Sequence, residues 1–349
     1  MRIAFLTQNL NTMDGGGRFS HDLVSDLKKA GFEVEIVSIE DTKPFLNFFK
    51  IRKIFKESDI IHAIDVWPNG FYTRLISFGL KNPIIITALG TYSVAPFYSW
   101  RWPIMKWICD GVRLTAISDY TREKILEVMP KLKINVITPG FNLDFWNIGE
   151  ANESGAVKYK PYILSVGALK PRKGYHNSIK AFAAVAQKIE NLNYIIIGKE
   201  EGSDYFRELN NLVKENNLEN RVFFLTSGID DSQLLGFYRN AELFVLTPTE
   251  EGHHFEGFGI VYLEAAASGL PIVATSDSGA TSATQDGYNS ILVPQNDPEK
   301  TADAILKILE NPELKLSFDN NSREWVKNFD HNKITLEYIK IYSSYVKHD

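Results

Sequence analysis

Residues 243–271 read LFVLTPTEEGHHFEGFGIVYLEAAASGLP, and this stretch decides the fold. Its apolar start, Leu243–Leu246, predicts a buried strand, and a polar loop follows. Gly257 and Gly259 then open a predicted helix that carries Glu264, and a second apolar run, Ile272–Ala274, comes directly after it. Apolar strands joined through a helix are typical of a parallel sheet that is covered on both faces.

The same alternation extends over the whole chain. Short apolar runs predict six strands in each half, at 3–7, 33–38, 60–63, 84–87, 113–117 and 135–138, and at 162–166, 194–197, 222–225, 243–246, 272–274 and 291–293. Amphipathic segments between them predict helices, including 18–30, 178–190, 204–216 and 301–309. We therefore expect an α/β protein of two Rossmann-like, doubly wound parallel-sheet domains that face each other across a cleft, where ligands bind.

Length and composition agree with two ordinary globular domains. The chain has 349 residues, 44% hydrophobic and 23% charged, with a net charge of -5. A basic excess is lacking, so we expect no nucleic-acid partner. A polar, glycine-containing linker at 149–155 predicts domains at 1–150 and 151–325, and a C-terminal helix at 326–349 that packs back on the first domain. The single cysteine, Cys109, excludes an intramolecular disulfide and suggests a cytoplasmic protein.

Two loops carry the residues best suited to chemistry. The loop after Tyr162–Val166 begins at Gly167 and places Arg172 and Lys173 ahead of a helix, a position that suits a diphosphate. The other loop carries Glu256, and Glu264 follows on the predicted helix, so that the two glutamates enclose seven residues. Each feature also has a plain structural interpretation: a solvated basic turn, a helix N-terminal charge at Glu256, and a buried ion pair at Glu264.

Taken together, these features resemble glycosyltransferase family 4, a family of retaining enzymes with the GT-B fold. The resemblance rests on Glu-x7-Glu with Gly-Phe-Gly after the first Glu, on Lys173-Gly174, and on the turn at 269–274. The stretches 59–62, 139–142 and 278–280 fit the same scheme, so the resemblance covers nearly the whole chain.

The resemblance implies a role for each of these residues. Glu264 would hold the ribose hydroxyls of a UDP- or GDP-sugar, and Glu256 would lie beside the donor sugar. Lys173 and Arg172 would bind the diphosphate, with Gly167 in the same loop. The donor-binding set is completed by glycines and one aromatic residue: Gly16, Gly17, Gly257, Phe258 and Gly259. The resemblance implies no cofactor beyond the sugar nucleotide, and no metal, since an Asp-x-Asp motif is lacking. The leaving diphosphate would be neutralised by cations and helix N-termini.

The expected activity is sugar transfer to a hydroxyl of a glycan, a lipid-linked or a small-molecule acceptor. A GT-B sugar-nucleotide epimerase or hydrolase, and a non-catalytic sugar-nucleotide-binding protein, remain the alternatives. The segments Phe45–Lys56 and Phe97–Trp107 mix aromatic and basic residues. They indicate either peripheral attachment to the inner face of a membrane, towards a lipid-linked acceptor, or ordinary helices with a wet basic face.

Overall fold

A computed structural model describes residues 1–12, 15–148, 150–200 and 203–345. The chain forms two compact units, Met1–Phe141 together with Phe329–Asp349, and Asn142–Asn328. Each unit contains one six-stranded sheet in which every neighbouring pair of strands is parallel. The twelve predicted strands are therefore confirmed, and nine of them differ from the prediction by one or two residues at one or both ends.

The sheet of the first unit has the order β2-β1-β3-β4-β5-β6. Its strands are β1 Arg2–Thr7, β2 Glu33–Ser38, β3 Ile60–Ile64, β4 Ile84–Ala88, β5 Arg113–Ala116 and β6 Ile134–Val136. Its helices are α1 Gly15–Lys29, α2 Ile39–Thr42, α3 Phe48–Glu57, α4 Phe71–Ile76, α5 Thr91–Val94, α6 Trp102–Cys109 and α7 Asp119–Val128, with a π-turn at Val66–Gly70 and a 3-10 turn at Ala95–Tyr98. The strand order reverses between β1 and β3, so their carboxyl ends flank the crevice where ligands bind in such sheets.

The sheet of the second unit has the order β12-β11-β10-β7-β8-β9. Its strands are β7 Tyr162–Val166, β8 Asn193–Ile197, β9 Val222–Leu225, β10 Leu243–Val245, β11 Ile272–Thr275 and β12 Ser290–Val293. Its helices are α8 Leu143–Ile148, α9 Ser154–Val157, α10 Tyr175–Lys188, α11 Ser203–Glu215, α12 Asp231–Asn240, α13 Ile260–Ala267, α14 Ala280–Ala283, α15 Pro298–Leu309 and α16 Pro312–Trp325, with 3-10 turns at Pro171–Lys173 and Val326–Phe329. Here the order reverses between β7 and β10.

The boundaries of the two units differ from the predicted ones. The chain enters the second unit at Asn142, because the ring of Trp146 packs edge-on against Tyr238 at 5.2 Å and Arg239 donates a hydrogen bond to the Trp146 carbonyl. The predicted linker is part of this unit as well, since the backbone N–H of Asn152 bonds the carbonyl of Ser232. Residues 150–155 are largely exposed, and they lie within the second unit, whose boundary is at Asn142.

After α16 the chain returns to the first unit and ends in α17, His331–Ser343. The hydroxyl of Tyr342 lies 2.7 Å from Nδ1 of His62, at the centre of the first sheet, and the Thr87 hydroxyl lies 2.8 Å from Nε2. All three side chains are buried. The last helix therefore completes the core of the first unit.

Candidate active site

The loops after β7 and β10 meet at the switch point of the second sheet. β7 and β10 are neighbours in register, with Phe244 opposite Leu164, so their carboxyl ends lie side by side. Gly174 has φ +71°, and a Cβ at this position would overlap the carbonyl of Thr247. The backbone N–H of Thr249 also donates to the carbonyl of Arg172 at 2.9 Å. Glycine at 174 thus allows the two loops to come into backbone contact.

This contact brings together three residues that the sequence placed on separate loops. Oε2 of Glu256 lies 2.5 Å from the Lys173 ammonium and 3.0 Å from the Arg172 guanidinium. The side chains of Lys173 and Glu256 are about nine-tenths buried, whereas Arg172 retains 26% of its exposure. The cluster therefore carries one net positive charge, and that charge is accessible at Arg172.

The cations fix the charge of Glu256. Burial alone would raise the pKa of this carboxyl, but Lys173 and Arg172 outweigh burial and lower the pKa to about 2. An opposite charge within hydrogen-bonding distance favours the ionised form of a carboxyl group. Glu256 is consequently a carboxylate throughout the physiological pH range, and it serves as a fixed charge rather than as a proton donor.

The loop that carries Glu256 is held by the turn after β11. The N–H of Gly279 donates to the carbonyl of Glu256 at 2.9 Å, and a Cβ on Gly279 would overlap the backbone of Gly257. Helix α13 begins at Ile260, with Gly259 as its left-handed N-cap. Glu256 therefore lies in the loop before the helix, and the expectation that Gly257 opens the helix was wrong.

Glu264 lies inside α13 and is 2% exposed. Its Oε2 accepts a hydrogen bond of 2.7 Å from the hydroxyl of Tyr238, which is itself buried on α12. A tyrosine hydroxyl is thus one hydrogen-bond partner of this buried carboxylate. Nothing in the sequence pointed to Tyr238, because it is remote along the chain and belongs to an ordinary amphipathic helix.

The glycines of the predicted site fall in different places. Gly167 directly follows β7, and its carbonyl accepts a hydrogen bond of 2.6 Å from the Tyr175 hydroxyl, next to the Lys173 side chain. Phe258 is buried in the loop between Gly257 and Gly259. Gly16 and Gly17 belong to the first turn of α1, in the other unit. The second unit therefore assembles every predicted site residue except these two.

The described residues include no group of three or more His, Cys, Asp or Glu side chains with the arrangement of a metal site. His62, the most deeply buried histidine of the first unit, is bonded to Tyr342 and Thr87. Burial lowers the pKa of His62 to about 3, so the ring is neutral. It acts as a core hydrogen-bonding group.

Comparison with known proteins places the chain among glycosyltransferases. Residues 149–325 match the family Glycosyl transferases group 1, and residues 42–145 match Glycosyltransferase Family 4. The chain is 27% identical over 307 residues to an uncharacterized glycosyltransferase of Methanocaldococcus jannaschii, a match that spans 85% of this chain and 79% of that protein. It is 27% identical over 315 residues to D-inositol 3-phosphate glycosyltransferase of Corynebacterium glutamicum, spanning 82% of this chain and 72% of that protein. It is 25% identical to a GDP-mannose-dependent alpha-(1-6)-phosphatidylinositol monomannoside mannosyltransferase of Mycobacterium tuberculosis, spanning 64% of this chain and 59% of that protein.

Solved structures share the fold over the full length. A glycosyltransferase from Rickettsia africae superposes with a TM-score of 0.83 at 20% identity, covering 100% of this chain and 99% of that one. HepE of Anabaena, in complex with UDP and glucose, superposes with a TM-score of 0.78 at 20% identity, covering 99% of this chain and 100% of that one. The GT-B fold class predicted from the sequence is confirmed. The chain belongs to glycosyltransferase family 4, with its group 1 region in the second unit.

Proposed function

We propose that this protein transfers a glycosyl unit from a UDP- or GDP-sugar to a hydroxyl of a glycan, a lipid-linked or a small-molecule acceptor, with retention at the anomeric carbon. The observation that carries the proposal is the Arg172–Lys173–Glu256 cluster at the β7/β10 switch point. A cationic group at the carboxyl edge of a parallel sheet suits a diphosphate. The complex of HepE with UDP and glucose, and the GDP-mannose dependence of the mycobacterial relative, support these two donor bases.

The cluster suggests a separate role for each of its residues. Transfer breaks the bond between the anomeric carbon and the diphosphate and forms a bond from that carbon to the acceptor oxygen on the same face. Negative charge accumulates on the departing phosphate oxygen, which would take up the proton of the acceptor hydroxyl. The accessible Arg172 and the buried Lys173 would stabilise that charge, because they are already fixed before the reaction begins. Ionised Glu256 would contact the donor sugar, and Glu264 would contact the ribose. In this scheme the diphosphate is neutralised without a metal ion, and the sugar nucleotide is the co-substrate.

We also propose that the first unit attaches to an anionic membrane surface. The predicted segments 45–56 and 97–107 are connected through α4. Phe45 packs on Tyr72 of this helix, and the adjacent Phe71 packs on both Tyr72 and Trp107. The resulting aromatic–cation surface is formed by Phe45, Leu46, Phe49, Trp67, Phe71, Tyr72, Arg74, Trp100, Arg101, Trp102 and Trp107. None of the helices in the described residues is long and apolar enough to cross a bilayer.

The exposure of the apolar side chains and the charge of the neighbouring lysines favour a lipid surface as the binding partner. Phe49, Leu46 and Trp100 keep 84%, 81% and 73% of their exposure, which is unusual for large apolar side chains. Lys50, Lys53 and Lys56 on α3 are exposed beside them. Aromatic rings flanked by lysines are typical of segments that lie in the interface of anionic membranes. This attachment would bring the enzyme to a lipid-linked acceptor at the inner face of a membrane.

A thermal-shift screen followed by product analysis tests the enzymatic proposal. UDP, GDP and their glucose and mannose derivatives are added in turn, and a ligand that binds only the folded protein raises its Tm. The donor that stabilises best is then incubated with and without an acceptor panel, and the anomeric configuration of the product is read by NMR. Free sugar or an epimerised nucleotide would establish the hydrolase or epimerase alternative, and binding without turnover would establish the binding protein.

A matched pair of variants locates the donor. Arg172→Ala should lower diphosphate affinity, by about 1–3 kcal/mol for a lost charged hydrogen bond. Arg207→Ala on α11 is the control, because this arginine is 73% exposed and pairs with its helical neighbour Asp204, remote from the β7/β10 loops along the chain. Equal affinity in both variants would contradict the assignment of the diphosphate to the β7/β10 loops.

A further inference from the structure

Asp65 occupies an unusual position in the first unit. It directly follows β3, one of the two strands that flank the switch point of this sheet. Its backbone has φ +68° and ψ 145°, a conformation that residues other than glycine rarely adopt. The backbone is held there from both sides: its N–H donates to the carbonyl of Thr87 at 2.8 Å, and its carbonyl accepts from Gly70 at 3.1 Å. The surrounding structure thus imposes a strained conformation that aims this side chain.

The side chain is oriented through one of its two oxygens. Oδ1 accepts a hydrogen bond of 3.0 Å from the N–H of Leu89 and another of 2.7 Å from the hydroxyl of Ser93. Both donors follow β4, the neighbouring strand. Within the described part of the chain, no hydrogen bond or ion pair is recorded for Oδ2. A carboxylate with one oxygen fixed and the other available is suited to receive a hydroxyl from a ligand.

The Asp65 carboxyl group can titrate and has few charged neighbours. Burial raises the pKa of Asp65 to about 6, although the bonds from Ser93 and Leu89 oppose the shift. The segment 66–70 and strand β4 contain no ionisable side chain. The ionisable side chains on the other elements beside it are His62 on β3, Tyr72 and Arg74 on α4, Tyr92 on α5, and Lys106 and Cys109 on α6. His62 is neutral, so it does not compensate the charge of Asp65.

We propose that Asp65 is an acceptor-binding residue, whose Oδ2 accepts a hydrogen bond from a sugar or polyol hydroxyl of the acceptor. This inference rests on the proposed glycosyl transfer and adds to it the acceptor side of the site. Strain that the protein maintains at the carboxyl edge of its sheet is typical of binding and catalytic positions. Asp65 is also two residues from Trp67, which belongs to the aromatic–cation surface, so a head group at a lipid surface would be within reach of this edge.

The test compares Asp65→Asn with Asp59→Asn in the full-length protein. The amide oxygen introduced by Asp65→Asn can still accept the bonds from Leu89 and Ser93, but the charge is removed. We expect the acceptor KM to rise about ten- to a hundredfold while the affinity for the nucleoside diphosphate stays unchanged. Asp59, exposed at the opposite end of β3, is the matched control and should leave both values unchanged. A soluble glycoside and the same sugar on a lipid in vesicles serve as separate acceptors. Comparing them shows whether Asp65 recognises a soluble or a lipid-linked acceptor.

The pH profile provides a readout that a purely structural role would not change. In the wild type, kcat/KM for the acceptor should fall below pH about 6, and this limb should be absent from Asp65→Asn. If Asp65→Asn folds poorly, Asp65→Gly replaces it, since glycine adopts positive φ without strain. An unchanged acceptor KM and pH profile, in an otherwise active protein, would overturn the inference. A wild type that turns over no sugar nucleotide would instead overturn the proposed function.

Discussion

The Tyr238 hydroxyl donates a hydrogen bond of 2.7 Å to Oε2 of Glu264, and both side chains are buried. The bond connects α12 to α13 and fixes the orientation of a carboxylate that would otherwise be costly to bury. The ring of Tyr238 is itself placed by Trp146 at 5.2 Å and by Phe244 at 5.9 Å. Tyr238 therefore links the segment that enters the second unit to the proposed ribose-binding residue.

Tyr238→Phe should destabilise the second unit and weaken nucleotide binding. The variant keeps the aromatic packing but leaves Glu264 without this donor, which costs about 1–3 kcal/mol. Urea unfolding measures the stability, and calorimetric titration measures the affinity for the nucleoside diphosphate. Tyr92→Phe, 65% exposed in the first unit, is the control. A Tyr238→Phe protein with wild-type stability and affinity would show that Glu264 does not depend on this bond.

The two glutamates should separate binding from turnover. Glu264→Gln keeps the size of the side chain and removes its charge, so we expect nucleoside-diphosphate affinity to fall by about 1–3 kcal/mol. Glu256→Gln should leave that affinity nearly intact and depress kcat, because Glu256 is assigned to the sugar. Since this change leaves Lys173 buried without its anion, the Tm of each variant is measured as well. Equal losses of nucleotide affinity, or full turnover in Glu256→Gln, would contradict this division.

Transfer should continue in excess EDTA. The proposed site neutralises the diphosphate with Arg172 and Lys173, so removal of divalent cations should leave kcat/KM for the donor unchanged. The measurement is the initial rate after chelation and after readdition of Mg²⁺ or Mn²⁺. A rate that is abolished by EDTA and restored by one of these ions would require a different donor site.

The aromatic–cation surface should bind anionic vesicles. We expect co-sedimentation that weakens at high salt, because exposed charges are screened. The double variant Phe49→Ser, Trp100→Ser should reduce binding, whereas Leu316→Ser, which removes a 63% exposed leucine from the second unit, should not. Absence of binding at low ionic strength would support the interpretation of ordinary helices with a wet basic face. Binding that does not depend on lipid charge would indicate a binding partner other than an anionic membrane.

The first unit should lose stability in mild acid through His62. Because burial lowers the pKa of this ring to about 3, the folded protein keeps it neutral while the unfolded chain takes up a proton below about 6.5. Stability from His62 is thus complete above pH 6.5 and declines as the pH falls towards 3, by about 2 kcal/mol between pH 6.5 and 5. Urea unfolding at several pH values should give a shallower slope for His62→Gln. An equal pH dependence of the unfolding free energy in both proteins would show that another group causes the acid sensitivity.

Much of this architecture is encoded locally. The strands were predictable because β-branched apolar runs bounded by polar loops favour buried parallel strands whatever lies around them. The capping box that starts α12, Asp230 with Gln233, is local for the same reason, because its two residues lie within one helical turn. The family, too, followed from short motifs that are each local along the chain, chiefly Glu256 to Glu264, Lys173-Gly174 and the turn at 269–274.

Only the tertiary structure determined which side chains of the site contact each other. Lys173 and Glu256 are 83 positions apart, and only the contact at Gly174 brings their charges together. The contact of Tyr238 with Glu264, the chain of aromatic rings from Phe45 through α4 to α6, and the strained backbone of Asp65 likewise depend on which elements become neighbours. A local pattern determines which face of an element is apolar, but the geometry of a site depends on long-range packing, which no short stretch of sequence encodes.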